Sequence, residues 1–567
     1  MFIRKKPSGK YKYIEIVETY WDPTTKMPRT TVIEKIGRLD KLLAEDPEVM
    51  QKLEEKVKGM NGDAEKKRAA ERRKTIEQFL SEGKTEETKE GCPVRNYGYV
   101  IYKKIWDELK IERTLQEEQR KNSKAEYEMG AVTFLLTIGR IMNPASKQRT
   151  YLEQKNYLGM KKVDDLNQVY RALDVLQKSK TAIEKHLDKQ IRKQYGREIN
   201  VAFYDVTTFA FQSVEKDSLK QFGYSKDQKF NEVQVVLGLF MDKNGIPVGY
   251  ELFPGNTSDF STMQTALESL KGKYKIKKVI ITADRGLNSK KNLKMIREMG
   301  YGYVMASKIR GASEEIKEMV LSEEGYTAVR DDFKYKVYPY QNIIKDGKEE
   351  QSFSENLIVT WSKARQEKDA ADRKRLVDKA IKLVESPAQY HAEMKKGGRK
   401  YVQTAIQGKG LQVNYAQIEY DASFDGYYSI ETSETMADPE EIIDIYKGLW
   451  KIEETFRVMK SNLESRPCFV WTESRIKGHF VSCFIALTIQ RIIEFRLRQA
   501  NCNAGTTQII DAVRSANVMI VNENSRPVFF KAVNDSLYDE MIRILEIGSL
   551  YTSNSRKDIH DMIALRV

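Results

Sequence analysis

The sequence predicts an α/β fold: a mixed-sheet core interrupted by a β-rich insertion, with a mainly helical N-terminal region and a helical C-terminal segment. Three observations predict it. Runs rich in β-branched and aromatic residues lie between 196 and 308 and alternate there with two amphipathic stretches. Helical periodicity dominates 97–195 and 439–499. Between 309 and 425 the core pattern is broken by short strand-like runs around a basic helical stretch. The chain has 567 residues, too many for one core, so several domains are expected.

Composition narrows the functional classes. Hydrophobic residues make up 40% and aromatics 10%, enough for packed cores, which excludes a wholly disordered chain. Lys and Arg number 96 against 82 Asp and Glu, a net charge of +14, so a polyanion is the natural partner class. No apolar run approaches the roughly 20 residues of a membrane span, and the start MFIRKKPSGKYKY lacks a signal peptide's apolar stretch. No membrane partner and a cytoplasmic location are expected. Cys92, Cys468, Cys483 and Cys502 show no CxxC spacing, and His186, His391, His479 and His560 are scattered, which argues against a disulfide framework or a zinc finger.

The elements follow in order. Residues 1–40 read as a β-hairpin, YKYIEIVETYW returning in TTVIEKIG through a turn at Asp22-Pro23-Thr24-Thr25. Residues 41–95 are a charged helical linker, read as a solvated face in preference to a DNA contact. Residues 96–195 form a helical domain, with Arg140, Lys147 and Arg149 around the Asn143-Pro144 break. In 196–308, REINVAFYDVTTFAF suits a central strand buried on both faces. EVQVVLGLFM and IPVGYELF follow, joined through Asn244-Gly245, a strong hairpin signal. Then come a helix, the strand KKVIITAD, a helix capped by Ser289, and the strand YGYVMASK. Three antiparallel strands extended by parallel βα units is the order of a ribonuclease-H-like core. Residues 309–425 are the β-rich insertion, 426–500 return to the core with a long helical region, and 501–567 are a C-terminal segment without a further reading.

Three acidic residues stand out. Asp205 interrupts the most apolar strand, where a carboxylate is either locked in a buried hydrogen-bond network or paired with a cation. Asp284 ends VIITA at the carboxyl end of a strand, where α/β sheets form ligand crevices; the other reading is a helix cap or turn residue. In EIIDIYKGLWKIEETFRVMKSNL, Ile445, Leu449, Ile452, Phe456, Met459 and Leu463 form one helical stripe. Tyr446, Glu453 and Lys460 recur every seven residues beside it, and Lys460 would stand about 10.5 Å beyond Glu453 along one helix. Glu454, about 200° round from Ile452, is expected to face solvent, which makes Glu453 the better acid. Two Asp and one Glu in a basic protein suit phosphoryl transfer with divalent metals, which are hard cations taking oxygen ligands.

The set Asp205 in FYDVTT, Asp284 in ITADRG, and Tyr446, Glu453 and Lys460 in YKGLWKIEETFRVMK resembles the DDE transposases of bacterial insertion sequences. It is most similar to the insertion-sequence-four-like subgroup, whose signature is Tyr, two residues, Arg, three residues, Glu, six residues, Lys. Here the Arg position holds Leu449, and Arg457 is the nearest substitute. PGNTSD and RPCFVWTESRIKGHF add to the likeness, which covers about 195–499. The resemblance implies an enzyme that binds the inverted-repeat ends of its element, cleaves, and joins 3′-hydroxyl ends to target DNA. Asp205, Asp284 and Glu453 would be the catalytic residues and ligands of two Mg²⁺ ions, with Mn²⁺ able to substitute. Tyr446, Lys460, Arg457 and Arg285 would contact DNA beside Arg140, Lys147 and Arg149, and the helical domain 96–195 would bind the DNA ends. It further implies double-stranded DNA as partner, a homodimer or higher oligomer in the synaptic complex, and a bacterial, nucleoid-associated setting. Alternatives are a nuclease or resolvase on the same core, or a domesticated DNA-binding protein that no longer cuts. His479 is read as a core or surface histidine in preference to a site contact, and Trp361 as a strand-packing residue in preference to a stacking platform for an unpaired base. The basic stretch 363–382 is read as a DNA contact or a solvated face.

Overall fold

The computed structural model describes residues 1–22, 27–62, 93–124, 126–224, 231–274, 279–346, 349–392, 399–404, 410–466, 468–523 and 526–565. The turn expected at 22–25, the larger part of the charged stretch 41–95, Cys92, and most of KKGGRK fall outside these residues. The chain forms two compact units. The smaller comprises Met1–Arg95, Ala516–Val533 and Gly548–Val567. In it Phe2–Ser8, Tyr11–Asp22 and Met27–Arg38 pair as a three-stranded antiparallel sheet, so the expected hairpin carries one more strand at its N-terminal side. Asn517–Glu523 and Arg526–Lys531 form a hairpin in the same unit.

The larger unit comprises Asn96–Ser515 and Asn534–Ile547. Its first part is helical: α1 (Val100–Glu108), α2 (Ile111–Asn122), α3 (Met129–Met142), α4 (Lys147–Glu153) and α5 (Leu166–Tyr195). Helix α5 runs from an Asp165 cap, whose side chain accepts the Asn167 N–H, to Gly196 in the left-handed conformation that ends helices without a Cβ clash.

The core strands are β1 (Val201–Ala210), β2 (Gln234–Asp242), β3 (Pro247–Pro254), β4 (Ile280–Ala283) and β5 (Gly302–Ser307). Four more strands join the same sheet: β6 (Thr327–Arg330), β7 (Phe333–Asp346), β8 (Glu349–Ser362) and β9 (Tyr427–Thr432). The spatial order is β6-β7-β8-β9-β5-β4-β1-β2-β3. Strands β1, β2 and β3 are antiparallel neighbours, and β1, β4 and β5 are parallel, as the hairpin signal and the two βα units require. Strands β6, β7 and β8 come from the segment read as an insertion, yet they extend the core sheet antiparallel beyond β5 and β9. Apolar residues on these strands, among them Leu357, Ile358 and Val359, continue the sheet's buried faces.

Side chains alternate along each strand, so the two faces have different partners. Ala202, Tyr204 and Val206 pack with Met263 and Leu267 of α6 (Asp259–Tyr274) and with Leu293 and Ile296 of α7 (Lys290–Glu298). The other face receives α8 (Lys363–Glu385, which follows β8), α9 (Pro439–Lys447), α10 (Trp450–Arg457) and α11 (Glu473–Gln499) in its surroundings: Ile442 and Ile443 of α9 join Val304, Ile358 and Ile430, and Phe480 of α11 meets Phe209 edge-on at 5.2 Å between centroids. Helix α11 is buried all round from Gly478 to Glu494, and Gly478 lets its backbone approach that of Leu173 in α5. A Cβ there would stand 2.0 Å from the Leu173 carbonyl oxygen. Among the described residues no helix is long and apolar enough to cross a membrane.

The long helical region expected from 439 to 499 contains three α-helices. The first break falls at Gly448, where a Cβ would lie 2.6 Å from the Phe203 ring of β1, so the position admits only glycine. After α10 the chain widens into a π-helical turn, Val458–Asn462, and reverses through Glu464, a non-glycine residue at φ +38°.

Candidate active site

Asp205 shares the face of β1 that carries Phe203 and Phe209, the side on which Gly448 and α11 pack. The last β1–β4 ladder pair is Tyr204 with Ala283, so the register continued by one residue sets Asp205 beside Asp284 at the strands' carboxyl ends. Neighbouring strands run about 4.8 Å apart, and equal register puts both side chains on one face. Asp205 is half-buried and its Oδ1 accepts the Val206 N–H at 2.7 Å. Asp284 is exposed; its Oδ1 accepts the Arg285 N–H at 2.6 Å and its carbonyl accepts Leu287 N–H at 2.9 Å, opening the turn that leads into α7. Asn288 fixes the end of that turn by donating to the Ala306 carbonyl at 2.8 Å and to Glu431 at 3.0 Å.

Glu453 of α10 is exposed and lines a cavity of about 350 Å³ with Tyr446, Tyr428, Leu449 and Arg365. The Tyr446 and Tyr428 hydroxyls are hydrogen-bonded, with ring centroids 5.4 Å apart. Burial pushes the Tyr446 phenol far up from its ordinary value, and the fields of Tyr428, Asp284 and Glu453 push it further. One phenol thus has carboxylates of both the strand end and the helix as electrostatic neighbours. A second cavity, of about 310 Å³, is bordered by Arg285, Lys308, Arg310, Arg365 and Tyr428.

Against this geometry stands the family comparison. The model of the transposase DDE domain matches residues 196–489, which is 489 − 196 + 1 = 294 of the 567 residues. The chain belongs to the DDE transposase family. Among solved structures the transposase is similar to a piggyBac transposase synaptic complex with hairpin DNA, at 10% identity over 83% of this chain and 85% of that one, with a TM-score of 0.33. It is also similar to a pre-cleavage Mos1 transpososome, at 15% identity over 32% of this chain and 60% of that one, with a TM-score of 0.14. Both scores lie below 0.5, and membership rests on the sequence match. A comparison with curated proteins finds no match. Membership makes the transposase a DNA-cutting and DNA-joining enzyme of transposition and recombination.

The helix break changes the expected flank of the transposase. Tyr446 ends α9, Glu453 lies in α10, and Lys460 lies in the π-turn, with its ammonium 5.8 Å from the Phe209 ring centroid. The break at Gly448 separates Tyr446 from the other two, whereas Glu453 and Lys460 stand in one helix and the π-turn that directly continues it. Glu454, expected to face solvent, is half-buried: its carboxylate lies 3.8 Å from the exposed Arg457 and 4.0 Å from the buried Arg491, whose guanidinium also bonds Thr455 at 2.9 Å. Arg457 is exposed, and Leu449 is buried in the cavity wall.

Two expected DNA contacts are corrected. Arg140 is buried and donates to the Leu463 carbonyl at 3.3 Å, the Glu464 carbonyl at 2.9 Å and the Ala145 carbonyl at 3.1 Å, bracing the reversal after the π-turn. Lys147 is 2% exposed and donates to His479 Nδ1 at 2.7 Å. An ammonium can only donate, so the His479 ring is neutral and its Nε2–H donates to the Ser465 carbonyl at 3.1 Å. Burial pushes Lys147 down to about 8 and holds His479 well below its usual range. His479 is thus a core histidine. Arg149 by contrast is exposed and donates to Glu153 at 2.7 Å on the surface of α4. Trp361 packs in the sheet against Gly426, with the Lys334 ammonium 5.5 Å from its ring.

Among the described residues no three Asp, Glu, His or Cys side chains are gathered closely enough to hold a metal ion. Cys468 and Cys483 are buried free thiols, and Cys502 is half-buried and free. Arg365, Tyr428 and Arg491 escaped the sequence reading. The one signal for Arg365 was the basic stretch 363–382, which did not single it out.

Proposed function

We propose that this transposase binds the inverted-repeat ends of an insertion sequence, cleaves there, and joins the freed 3′-hydroxyl ends to target DNA. The observation that carries this reading is the pair of neighbouring strand ends bearing Asp205 and Asp284 on the face where Glu453 and Asp284 are both electrostatic neighbours of Tyr446. We take the core as ribonuclease-H-like and the chain as insertion-sequence-four-like, on the strand order and the Tyr446, Glu453, Lys460 spacing.

Carboxylate oxygens are the donors a hard divalent cation takes, and Asp205, Asp284 and Glu453 would hold two Mg²⁺ ions, or Mn²⁺, once DNA brings the donors together. Such ions supply activation of the attacking oxygen and stabilisation of the leaving one. The chain's own part is to orient. The Tyr428–Tyr446 pair fixes the cavity wall, and Lys460, Arg457 and Arg285 lie where backbone phosphates of the ends would pass. A synaptic complex of two or more subunits would hold two ends.

The test is incubation of the full chain with inverted-repeat DNA and Mg²⁺, with products sized for cleavage and for joining. Cleavage followed by joining is expected. Cleavage without joining would make the chain a nuclease, and binding without cleavage would make it a non-cutting DNA-binding protein.

A further inference from the structure

We propose that Arg365, supplied from outside the helices that carry Tyr446 and Glu453, is the residue that grips a DNA backbone phosphate at the mouth of the active site. This rests on the DNA-cutting function proposed above. Arg365 lies in the first turn of α8, where the Ser362 cap accepts its N–H at 3.4 Å. Its guanidinium carbon sits 4.3 Å from the Tyr428 ring centroid, and Tyr428 in turn bonds Tyr446. Asp369, one turn on, stands 3.5 Å from its Nε and is itself tied to the Gly426 N–H at 3.2 Å. Stacking and this ion pair fix the plane of the fork before DNA arrives, so little freedom is lost on binding.

Place and charge supply the rest of the argument. Arg365 borders both cavities: the one with Glu453 and Tyr446, and the one with Arg285, Lys308 and Arg310. The other cation of the first cavity, Lys447, is paired with Asp444 at 3.0 Å, and Arg310 of the second donates to the Asp421 carbonyl at 3.2 Å. Leu449 lies in the wall of the same cavity that Arg365 and Glu453 border. A strand running from Glu453 toward Arg285 passes Arg365, whose planar fork matches a phosphate with two parallel hydrogen bonds.

The experiment is single-turnover cleavage of inverted-repeat duplexes by the full chain with Mg²⁺, each duplex carrying one neutral methylphosphonate near the cut. Wild type should lose about ten- to hundredfold in rate at one position, the cost of a charged hydrogen-bonded contact. Arg365→Ala should show that loss on unmodified DNA and no further loss at that position. Arg365→Lys should recover part of the rate, because it keeps the charge without the fork. Arg375→Ala, on the same helix and far more exposed, should leave the position-specific loss intact. Thermal melting of each variant establishes that it is folded, and Arg365→Lys carries the test should Arg365→Ala not fold. Arg365 variants that cut like wild type, or that lose a further full factor at every position, would overturn this assignment alone. Wild type that binds ends and cuts none would overturn the proposed function, and this assignment with it.

Discussion

Two groups of charged side chains in the larger unit are opposites in setting. Asp284, at the carboxyl end of β4, and Glu453 and Arg365, beside the two cavities, are open to solvent. Between α3, α4 and α11, Arg140, Lys147 and His479 are buried and bonded to one another or to backbone carbonyls. The first group has hydrogen-bonding capacity directed at something outside the chain. The second spends its capacity on the carbonyls that a helix end leaves behind, and so fastens the π-turn and its reversal. Both contain basic residues that look alike in sequence; burial separates phosphate contacts from fastenings.

The largest expected effect falls on the open group. Asp205→Ala, Asp284→Ala or Glu453→Ala should lower cleavage by about a thousandfold or more while end binding persists, since affinity comes mainly from phosphate contacts elsewhere. Glu454→Ala should still cut, because its carboxylate serves Arg457 and Arg491. A gel assay that finds Glu454→Ala dead and Glu453→Ala active would reverse the assignment.

The fastening group should respond in stability instead. Arg140→Ala strands three carbonyls in the interior and should cost about 3 kcal/mol in urea unfolding. Loss of end affinity by the folded variant, without loss of stability, would return Arg140 to the DNA surface.

Much of the sheet was legible, because each core strand announces itself locally: VAFYDVTTFA by its apolar run, the β2–β3 hairpin by Asn244-Gly245, and Asp284 by the end of VIITA. What stayed hidden depends on partners distant in sequence. The stripe from Ile445 to Leu463 reads as one helix, and only Phe203, on a strand more than 200 residues earlier, shows why position 448 of that stripe holds glycine. Lys147 looks solvent-facing until His479 of α11 is packed over it. Arg365 looks like one charge in a basic run until the fold stacks it on Tyr428.

A third expectation concerns the support beneath the Asp284 turn. Glu355 and Glu431 are buried together, bridged by Tyr340 and Asn342, and Glu431 holds Asn288. Burial pushes the Glu355 carboxyl up to about 7. The folded state therefore holds a proton that the unfolded chain has released between about pH 4.5 and 7, so this group's contribution is present below that window and is lost as pH rises through it. The loss should be on the order of 2 kcal/mol, measured as a falling urea midpoint, and Glu355→Gln should flatten the fall. An unchanged pH profile in Glu355→Gln would place the titration elsewhere.

The smallest expected effect in stability isolates Arg149 from its two neighbours in sequence. Its pair with Glu153 spans one turn on an exposed helix face, a geometry worth about 0.3–0.5 kcal/mol, so Arg149→Ala should barely shift the urea midpoint. If this face of the helical domain meets the DNA end, the same variant should weaken binding and reduce the slope of log affinity against log salt by about 1, the signature of one phosphate contact. Arg140→Ala should do the reverse, with lower stability and an unchanged slope. Measuring both variants in both assays separates field from fastening within ten residues of chain. An Arg149→Ala protein with wild-type affinity and salt slope would remove α4 from the DNA interface and leave the end contacts of this domain to be sought on another face.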